Sequence, residues 1–187
     1  TAMLHVPYQG DGGITDNMRN YVVKQLKEEV IPKLEKVSGV KFDIDRLREY
    51  LRESAKAEDD LVWVLQSAKC KPSPIDAYFG AIYYVGPIFS AFRGTPEATT
   101  YYQLLRGEIE ARIAAGKGPV TPDGEMGPEK YRLVTEGPPN YTHMREFWKM
   151  FYEEGAVVVA STYAKVGGVY DFGFRHDPDR PLESLAE

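Results

Sequence analysis

The sequence predicts a helix-rich α/β fold, with a region of about four helices followed by a parallel strand–helix–strand unit. The second part carries the clearer signal. Buried strands are predicted at residues 131–135 and 156–161, on either side of an amphipathic stretch at residues 143–154. The run AVVVAS of the second strand is apolar without alternation, which is typical of a strand that is covered on both faces. A helix that joins two such strands normally makes a right-handed parallel crossover.

The first elements of the chain are a short strand and a long helix. Residues 4–8 fit a short strand, and the helix runs from about Asp16 to Ser38 with Thr15 as its N-cap. Pro32 lies inside this helix. A proline in a helix interior costs about 3 kcal/mol or more, because it removes a hydrogen bond and clashes with the preceding turn. We therefore expect a kink or a break near Val30.

The remaining helices of the first region follow in close succession. One begins after Asp43, a good N-cap, and ends near Lys69. The segment at residues 75–92 is apolar on all sides, so as a helix it must be buried on every face. The last one has Thr95 as its N-cap and ends at Gly116.

A stretch rich in glycine and proline at residues 117–128 is the best candidate for a linker. It separates the helices from the strand–helix–strand unit. The sequence therefore predicts two parts, a helical region at residues 1–116 and the start of an α/β domain at residues 117–187.

Composition excludes several classes of function. A net charge of -5 argues against a broad nucleic-acid interface, which needs clustered lysine and arginine. The single cysteine rules out an internal disulfide, and since an iron–sulfur cluster is typically held by about four thiolates, the chain cannot hold one alone. The three histidines are scattered, so a zinc site of usual spacing is absent. No signal pattern and no uncharged run of roughly 20 residues is present, and we expect a cytoplasmic protein.

Ligands of parallel sheets bind beyond the carboxyl ends of the strands, so the two loops there hold the candidate residues. In the first loop, Gly137 and Asn140 precede Thr142, a plausible cap for the next helix. Free amides at a helix start attract an anion by roughly 0.3 to 1 kcal/mol, which favours a wall for a phosphate, a thioester or a cluster. The alternative is a tight turn with a good cap.

The second loop holds the densest set of large polar side chains: Tyr163, Lys165, Tyr170, Arg175 and His176. Together with the glycines between them, these residues fit the lining of a substrate pocket. His176 is able to move protons near neutral pH. A packed loop whose tyrosines satisfy one another is the alternative.

Longer stretches of the chain resemble the family of the ATP-dependent benzoyl-CoA reductases and 2-hydroxyacyl-CoA dehydratases. They are VPYQGDGG at residues 6–13, SPIDAYFG at 73–80, GPIFSAFRGT at 86–95, EGPPN at 136–140 and RHD at 175–177. PVTPDGEM and FWKMFYEEGAVVVAS belong to the same similarity. It is collinear and covers essentially the whole chain, so it is more specific than any short motif.

The resemblance implies a subunit of an oxygen-sensitive enzyme that reduces the aromatic ring of benzoyl-CoA. Electrons would come one at a time from a partner pair that hydrolyses ATP and carries its own [4Fe-4S] cluster, with ferredoxin upstream. Subunits of this family are built from Rossmann-like domains joined by helices, and cysteines hold a [4Fe-4S] cluster near the acyl-CoA site. Residues 1–116 would then be the end of a first α/β domain with its linking helices, and residues 117–187 the opening of a Rossmann-like domain.

The chain departs from the family at the cluster. The family's cysteine ligands have no counterparts here, which implies an internal fragment that binds no cluster and is inactive alone. No catalytic residue is therefore assigned by resemblance. Two alternatives stay open: a subunit of a 2-hydroxyacyl-CoA dehydratase, or a non-catalytic assembly module that docks a partner through the apolar helix at residues 75–92.

Overall fold

The computed structural model describes residues 3–7, 13–77, 86, 92–138, 140–163 and 173–187. These residues form a helix-rich α/β structure with a small parallel sheet, which confirms the predicted fold class. They divide into two compact units. Unit 1 comprises Thr1–Arg52 and His176–Glu187, and unit 2 comprises Glu53–Arg175.

Unit 1 begins with one long helix that contains a widened turn. Helix α1 (Asp16–Gln25) passes through a π-helical turn (Leu26–Val30) into α2 (Ile31–Ser38). Thr15 Oγ1 accepts a hydrogen bond from the Met18 amide at 3.3 Å, as its predicted role as N-cap requires. The Ile31 amide reaches back five residues to the Leu26 carbonyl. Pro32 follows directly, so the interruption predicted near Val30 is a widened turn in a continuous helix.

The strand predicted at residues 4–8 is wrong for the part of it that the structure describes. Residues 3–7 have no regular structure. The side chain of Gln25 explains this. Its Oε1 accepts a hydrogen bond from the His5 main-chain amide and its Nε2 donates one to the His5 carbonyl, both at 2.8 Å. These two hydrogen bonds attach the segment to α1, where a strand would have attached it to a sheet.

Helix α3 (Ile44–Gln66) is followed by a 3-10 turn (Ser67–Lys69), so the helical segment ends near Lys69 as predicted. Asp43 caps its start, since its carboxylate accepts from the amides of Asp45 at 2.9 Å and Arg46 at 3.2 Å. In unit 2, helix α4 (Pro96–Ala114) has the predicted cap, because Thr95 Oγ1 accepts from the Ala98 amide at 3.3 Å. Most of the helix predicted at residues 75–92 lies outside the described residues. Among the residues that the structure describes, no helix is both long and apolar enough to cross a membrane.

The segment predicted as a linker folds as a hairpin within unit 2. Strands β1 (Val120–Thr121) and β2 (Gly124–Glu125) pair in antiparallel fashion. The buried guanidinium of Arg112 in α4 donates to Glu125 at 2.6 Å and to the carbonyl of Gly118. This contact with Arg112 holds the pKa of the Glu125 carboxyl below its usual range. A helix residue thus holds both ends of the glycine-rich stretch.

The predicted strand–helix–strand unit is confirmed. Strand β3 (Tyr131–Thr135) pairs in parallel with β4 (Ala156–Ser161), and a 3-10 turn (Tyr141–His143) and helix α5 (Met144–Glu153) connect them. Trp148 and Tyr152 of α5 form a buried cluster with Val158 and Ala77.

The two strands differ in burial. Residues Ala156, Val157 and Val158 of β4 are buried, as an apolar run predicts. In β3, by contrast, Tyr131 is 59% exposed and Val134 is 72% exposed. The prediction that both strands are covered on both faces therefore holds for the start of β4 and is wrong for β3, where the pairing with β4 leaves these side chains in solvent.

Candidate functional site

The loops after β3 and β4 meet at the carboxyl edge of the sheet. The pairing continues one step beyond the strands, where the Thr162 amide donates to the Thr135 carbonyl at 3.1 Å. The Gly137 amide then donates to Thr162 Oγ1 at 3.0 Å. Gly137 has a φ of 81°, a left-handed conformation that glycine adopts without strain. The first loop therefore turns back over the end of the second strand.

Two tyrosines connect the same loops further out. The Tyr141 hydroxyl donates to the Tyr163 hydroxyl at 2.7 Å, and the rings lie edge to face with their centroids 6.1 Å apart. Tyr141 is 54% exposed, so this phenol pair forms part of the accessible rim of the sheet edge. Phenol groups offer a flat apolar surface together with a hydrogen-bonding tip. Such a rim is suited to an aromatic or acyl group next to a polar one.

Asn140 and Thr142 form a turn of their own. Thr142 Oγ1 donates to Asn140 Oδ1 at 2.9 Å, and the His143 amide donates to the Asn140 carbonyl at 3.3 Å. The prediction that Thr142 caps the helix is wrong, because the helix begins at Met144 and His143 occupies the N-cap position. Within the described part of the chain, helix α5 begins at Met144 without a side-chain cap, and Glu146 is the acidic residue of its first turn. A carboxylate in that position interacts favourably with the helix dipole.

Arg175 belongs to the packing of unit 2. Its Nε donates to Asp59 Oδ1 of helix α3 at 2.7 Å, and its Nη1 donates to the Phe174 carbonyl. The Asp59 side chain is 61% exposed, and exposed ion pairs contribute about 0 to 1 kcal/mol. Arg175 thus holds the end of the second loop against α3.

His176 lies in unit 1. Its Nδ1 is 3.2 Å from both the hydroxyl and the carbonyl oxygen of Ser184, in helix α6 (Pro181–Ser184). The Asp177 amide donates to the same hydroxyl at 2.8 Å. The pKa of the Asp177 carboxyl is held below its usual range, mainly by the hydrogen bond from the Asp179 amide and next by the one from the guanidinium of Arg180. His176 and Asp177 therefore organise the C-terminal turn.

The structure brings together Gly137 and Tyr163 of the predicted site, with Asn140 and Thr142 in the same loop. It places Arg175 at α3 and His176 at α6, each with its own partner. Lys165 and Tyr170 lie outside the described residues.

Sequence reasoning missed Tyr141 and Thr162, the residues through which the two loops contact each other. Thr162 directly follows β4 and Tyr141 lies in the connection after β3, so the rule for the carboxyl edge covers both positions.

The donor set of the described residues does not fit a metal ion or a cluster. No three histidine, cysteine, aspartate or glutamate side chains among them are close enough to share an ion. Cys70 is partly buried, and its carbonyl accepts a hydrogen bond from Arg132 at 3.0 Å. An iron–sulfur cluster typically takes about four thiolates, and Cys70 supplies only one.

Fold and site together define an α/β protein whose polar loops lie at the carboxyl edge of a parallel strand pair, joined to a largely helical remainder. Residues 1–187 match the family model of the 2-hydroxyglutaryl-CoA dehydratase D-component, and the chain belongs to this family. The family identified from the sequence is thus confirmed.

Three relatives show the extent of the similarity. The chain is 74% identical to a benzoyl-CoA reductase subunit of Thauera aromatica over 187 residues, which is 100% of this chain and 43% of the relative. It is 30% identical to the (R)-2-hydroxyisocaproyl-CoA dehydratase alpha subunit of Clostridioides difficile, over 86% of this chain and 38% of that relative. It is 26% identical to the (R)-phenyllactyl-CoA dehydratase alpha subunit of Clostridium sporogenes, over 89% of this chain and 39% of that relative. The chain thus spans less than half the length of each of these relatives.

Proposed function

We propose that this chain is part of a benzoyl-CoA reductase subunit, in an oxidoreductase that reduces the aromatic ring of benzoyl-CoA to a cyclic diene. One observation carries the proposal. Identity to the reductase subunit is 74% over the whole chain, against 30% and 26% for the two dehydratase subunits. The reduction adds electrons and protons in equal number to the ring. The electrons come from ferredoxin through a partner pair that hydrolyses ATP.

The cluster of such an enzyme belongs to parts of the protein other than this chain. In the full-length subunit, a [4Fe-4S] cluster would supply single-electron transfer to the ring. With one cysteine, the 187 residues supply no set of ligands for it. The chain alone is therefore inactive, and its contribution is to hold and orient the substrate in a cytoplasmic hetero-oligomer. Residues 117–187 begin a Rossmann-like domain, and residues 1–116 are the helical end of the domain before it.

The carboxyl edge of the sheet is the part of the chain that we assign to the acyl-CoA. The hydroxyl pair of Tyr141 and Tyr163 supplies an aromatic surface with polar tips, and Gly137 allows a close approach of the main chain. Lys165 and Tyr170 follow Tyr163 in the sequence and offer a cation and a phenol for the same substrate. Arg175 positions the end of the second loop through Asp59. His176 positions the C-terminal turn of unit 1 through Ser184.

The alternative within the family is a 2-hydroxyacyl-CoA dehydratase, whose substrate loses water and gains no electrons overall. The similarity to two dehydratase alpha subunits supports it. One preparation distinguishes the two functions. The full-length protein is assembled anaerobically with its partner subunits, ATP and reduced ferredoxin, and is offered benzoyl-CoA or a 2-hydroxyacyl-CoA. Formation of a cyclic dienoyl-CoA with ATP hydrolysis is the expected result. Dehydration of the hydroxyacyl-CoA without ring reduction contradicts the proposal.

A further inference from the structure

A hydrophobic groove in unit 1 lies between helix α2, the loop that follows it and the first turns of α3. Its volume is about 420 Å³. Six apolar or aromatic residues form its walls: Ile31, Leu34, Val40, Phe42, Leu47 and Tyr50. We call this feature the α2–α3 groove.

The apolar side of α2 is uncovered in the described residues. Leu34 is 58% exposed, and Val37 next to it is 87% exposed. No residue of α2, or of the π-helical turn before it, is buried. In proteins, most of the stability of a helix comes from packing its apolar face against other elements. Within the described part of the chain, helix α2 therefore has an apolar face without the core that such a face normally packs against.

Specific contacts build the groove. Glu35 accepts a hydrogen bond from the Phe42 amide at 2.9 Å and pairs with Lys41 at 2.9 Å, so the loop is fastened to α2. Arg46 donates to the hydroxyl of Tyr50 at 2.8 Å, and its guanidinium lies 5.3 Å from the centroid of that ring. The walls are thus held in place by contacts within unit 1.

The charges around the groove are balanced. Two acidic residues, Glu35 and Asp43, and two basic residues, Lys41 and Arg46, belong to its lining. Surfaces that recruit a separate partner commonly steer it with charge of one sign, which this rim does not offer. An apolar surface with a neutral rim is typical of a domain interior that lacks one layer.

We propose that the α2–α3 groove is covered by an apolar segment of the same polypeptide that lies outside these 187 residues. The 187 residues correspond to only 43% of the similar reductase subunit, so a subunit of that length has further polypeptide that can cover the groove. A tethered segment also has a high effective concentration, of order mM for a short flexible connection, which favours it over a separate subunit. The proposal concerns how the full-length subunit folds, and it holds whichever reaction the enzyme catalyses.

Photocrosslinking in the full-length subunit tests this. The photoreactive amino acid p-benzoyl-phenylalanine replaces Leu34, which lines the groove and is exposed, and in a control protein it replaces Glu28, a solvent-exposed residue outside the groove. The isolated subunit and the assembled complex are irradiated, and crosslinked peptides are mapped by mass spectrometry. We expect position 34, and not position 28, to crosslink to a peptide of the same chain outside the 187 residues, in both samples. A crosslink to another subunit or to a peptide within the 187 residues, or none at position 34, overturns the proposal.

A second measurement does not depend on crosslinking. Leu34→Asp puts a charge into the covered groove, so the melting temperature of the isolated full-length subunit shifts downward relative to Glu28→Asp. An unchanged melting temperature means that Leu34 faces water in the full-length subunit, and it overturns the proposal as well.

Discussion

The buried carboxylate of Asp76 accepts a hydrogen bond from the main-chain amide of Val158 at 2.9 Å. Asp76 is 3% exposed and Val158 is fully buried in β4. Next to Val158, the register between β3 and β4 shifts by one residue at Leu133 and Val134. An amide beside such an irregularity needs another acceptor, because a buried donor without a partner is costly. Asp76 thus links the segment after α3 to the centre of the sheet.

We predict that Asp76→Ala destabilises the full-length protein by about 1 to 3 kcal/mol, the cost of leaving a buried amide without its acceptor. Asp76→Asn keeps a side-chain oxygen and should cost less. Urea denaturation of the two variants measures the difference. Equal stability of both variants and the wild type would show that water replaces the carboxylate.

Tyr152 provides a prediction about pH. Its hydroxyl donates to Asp123 at 2.6 Å. This hydrogen bond first, and burial next, raises the pKa of Tyr152 to about 12. Tyrosine in an unfolded chain titrates near pH 10. Because the folded pKa is the higher one, the stabilisation is complete below about pH 10 and is lost between about pH 10 and 12. Tyr152→Phe should therefore reduce the loss of unfolding free energy over this interval, while an equally steep loss in the variant would argue against the assignment.

The phenol pair at the sheet edge is expected to affect substrate binding. In the assembled enzyme, Tyr163→Phe removes one hydroxyl of the hydrogen bond between Tyr141 and Tyr163. A hydrogen bond contributes about 0.5 to 1.5 kcal/mol, so KM for the acyl-CoA should rise by up to about tenfold. Tyr21→Phe changes an exposed tyrosine of unit 1 and serves as control. Equal kinetics for both variants would assign the pair a structural role.

Two glycines should respond to alanine with opposite signs. Gly155 has a φ of 75°, and a Cβ there would lie 2.7 Å from the Pro128 carbonyl oxygen. We expect Gly155→Ala to cost about 1 to 3 kcal/mol, because both the backbone conformation and the contact are unfavourable. Gly107 lies inside α4, and no atom of the described residues comes within 4 Å of the added Cβ. Gly107→Ala should stabilise the protein by about 0.5 to 1 kcal/mol. Thermal unfolding of both variants checks the signs.

Local signals explain which parts of the fold were predicted. The caps Thr15 and Thr95 and both strands of the parallel pair agree with the structure, because neighbouring residues determine them. The contacts that the sequence did not predict join residues that are distant along the chain. Arg112 with Glu125, and Asp76 with Val158, follow no spacing rule.

The candidate site divides in the same way. The rule for parallel sheets correctly indicated that both loops lie at one edge. Which residue caps a helix depends on where the preceding turn ends, and the 3-10 turn at Tyr141–His143 puts His143, and not Thr142, in the N-cap position. Arg175 and His176 were grouped by sequence proximity, yet adjacent residues in an extended segment diverge to separate partners.

An ion pair in unit 2 between the buried carboxylate of Glu58 and the 43% exposed side chain of Arg93 gives the last prediction. Glu58 of α3 is 2% exposed, and its Oε1 accepts from Arg93 at 2.6 Å and from the Ser54 hydroxyl at 3.0 Å. Its Oε2 is buried, with no hydrogen-bond donor among the residues that the structure describes. Removing Arg93 leaves the buried carboxylate without its charged donor, so Arg93→Ala should cost about 1 to 3 kcal/mol. Glu58→Gln should cost less, because it removes the charge that needs a partner.

In the double variant, most of the cost of Arg93→Ala should disappear. Denaturation of the wild type, the two single variants and the double variant measures this coupling. Additive costs would show that Arg93 acts through contacts other than the one with Glu58.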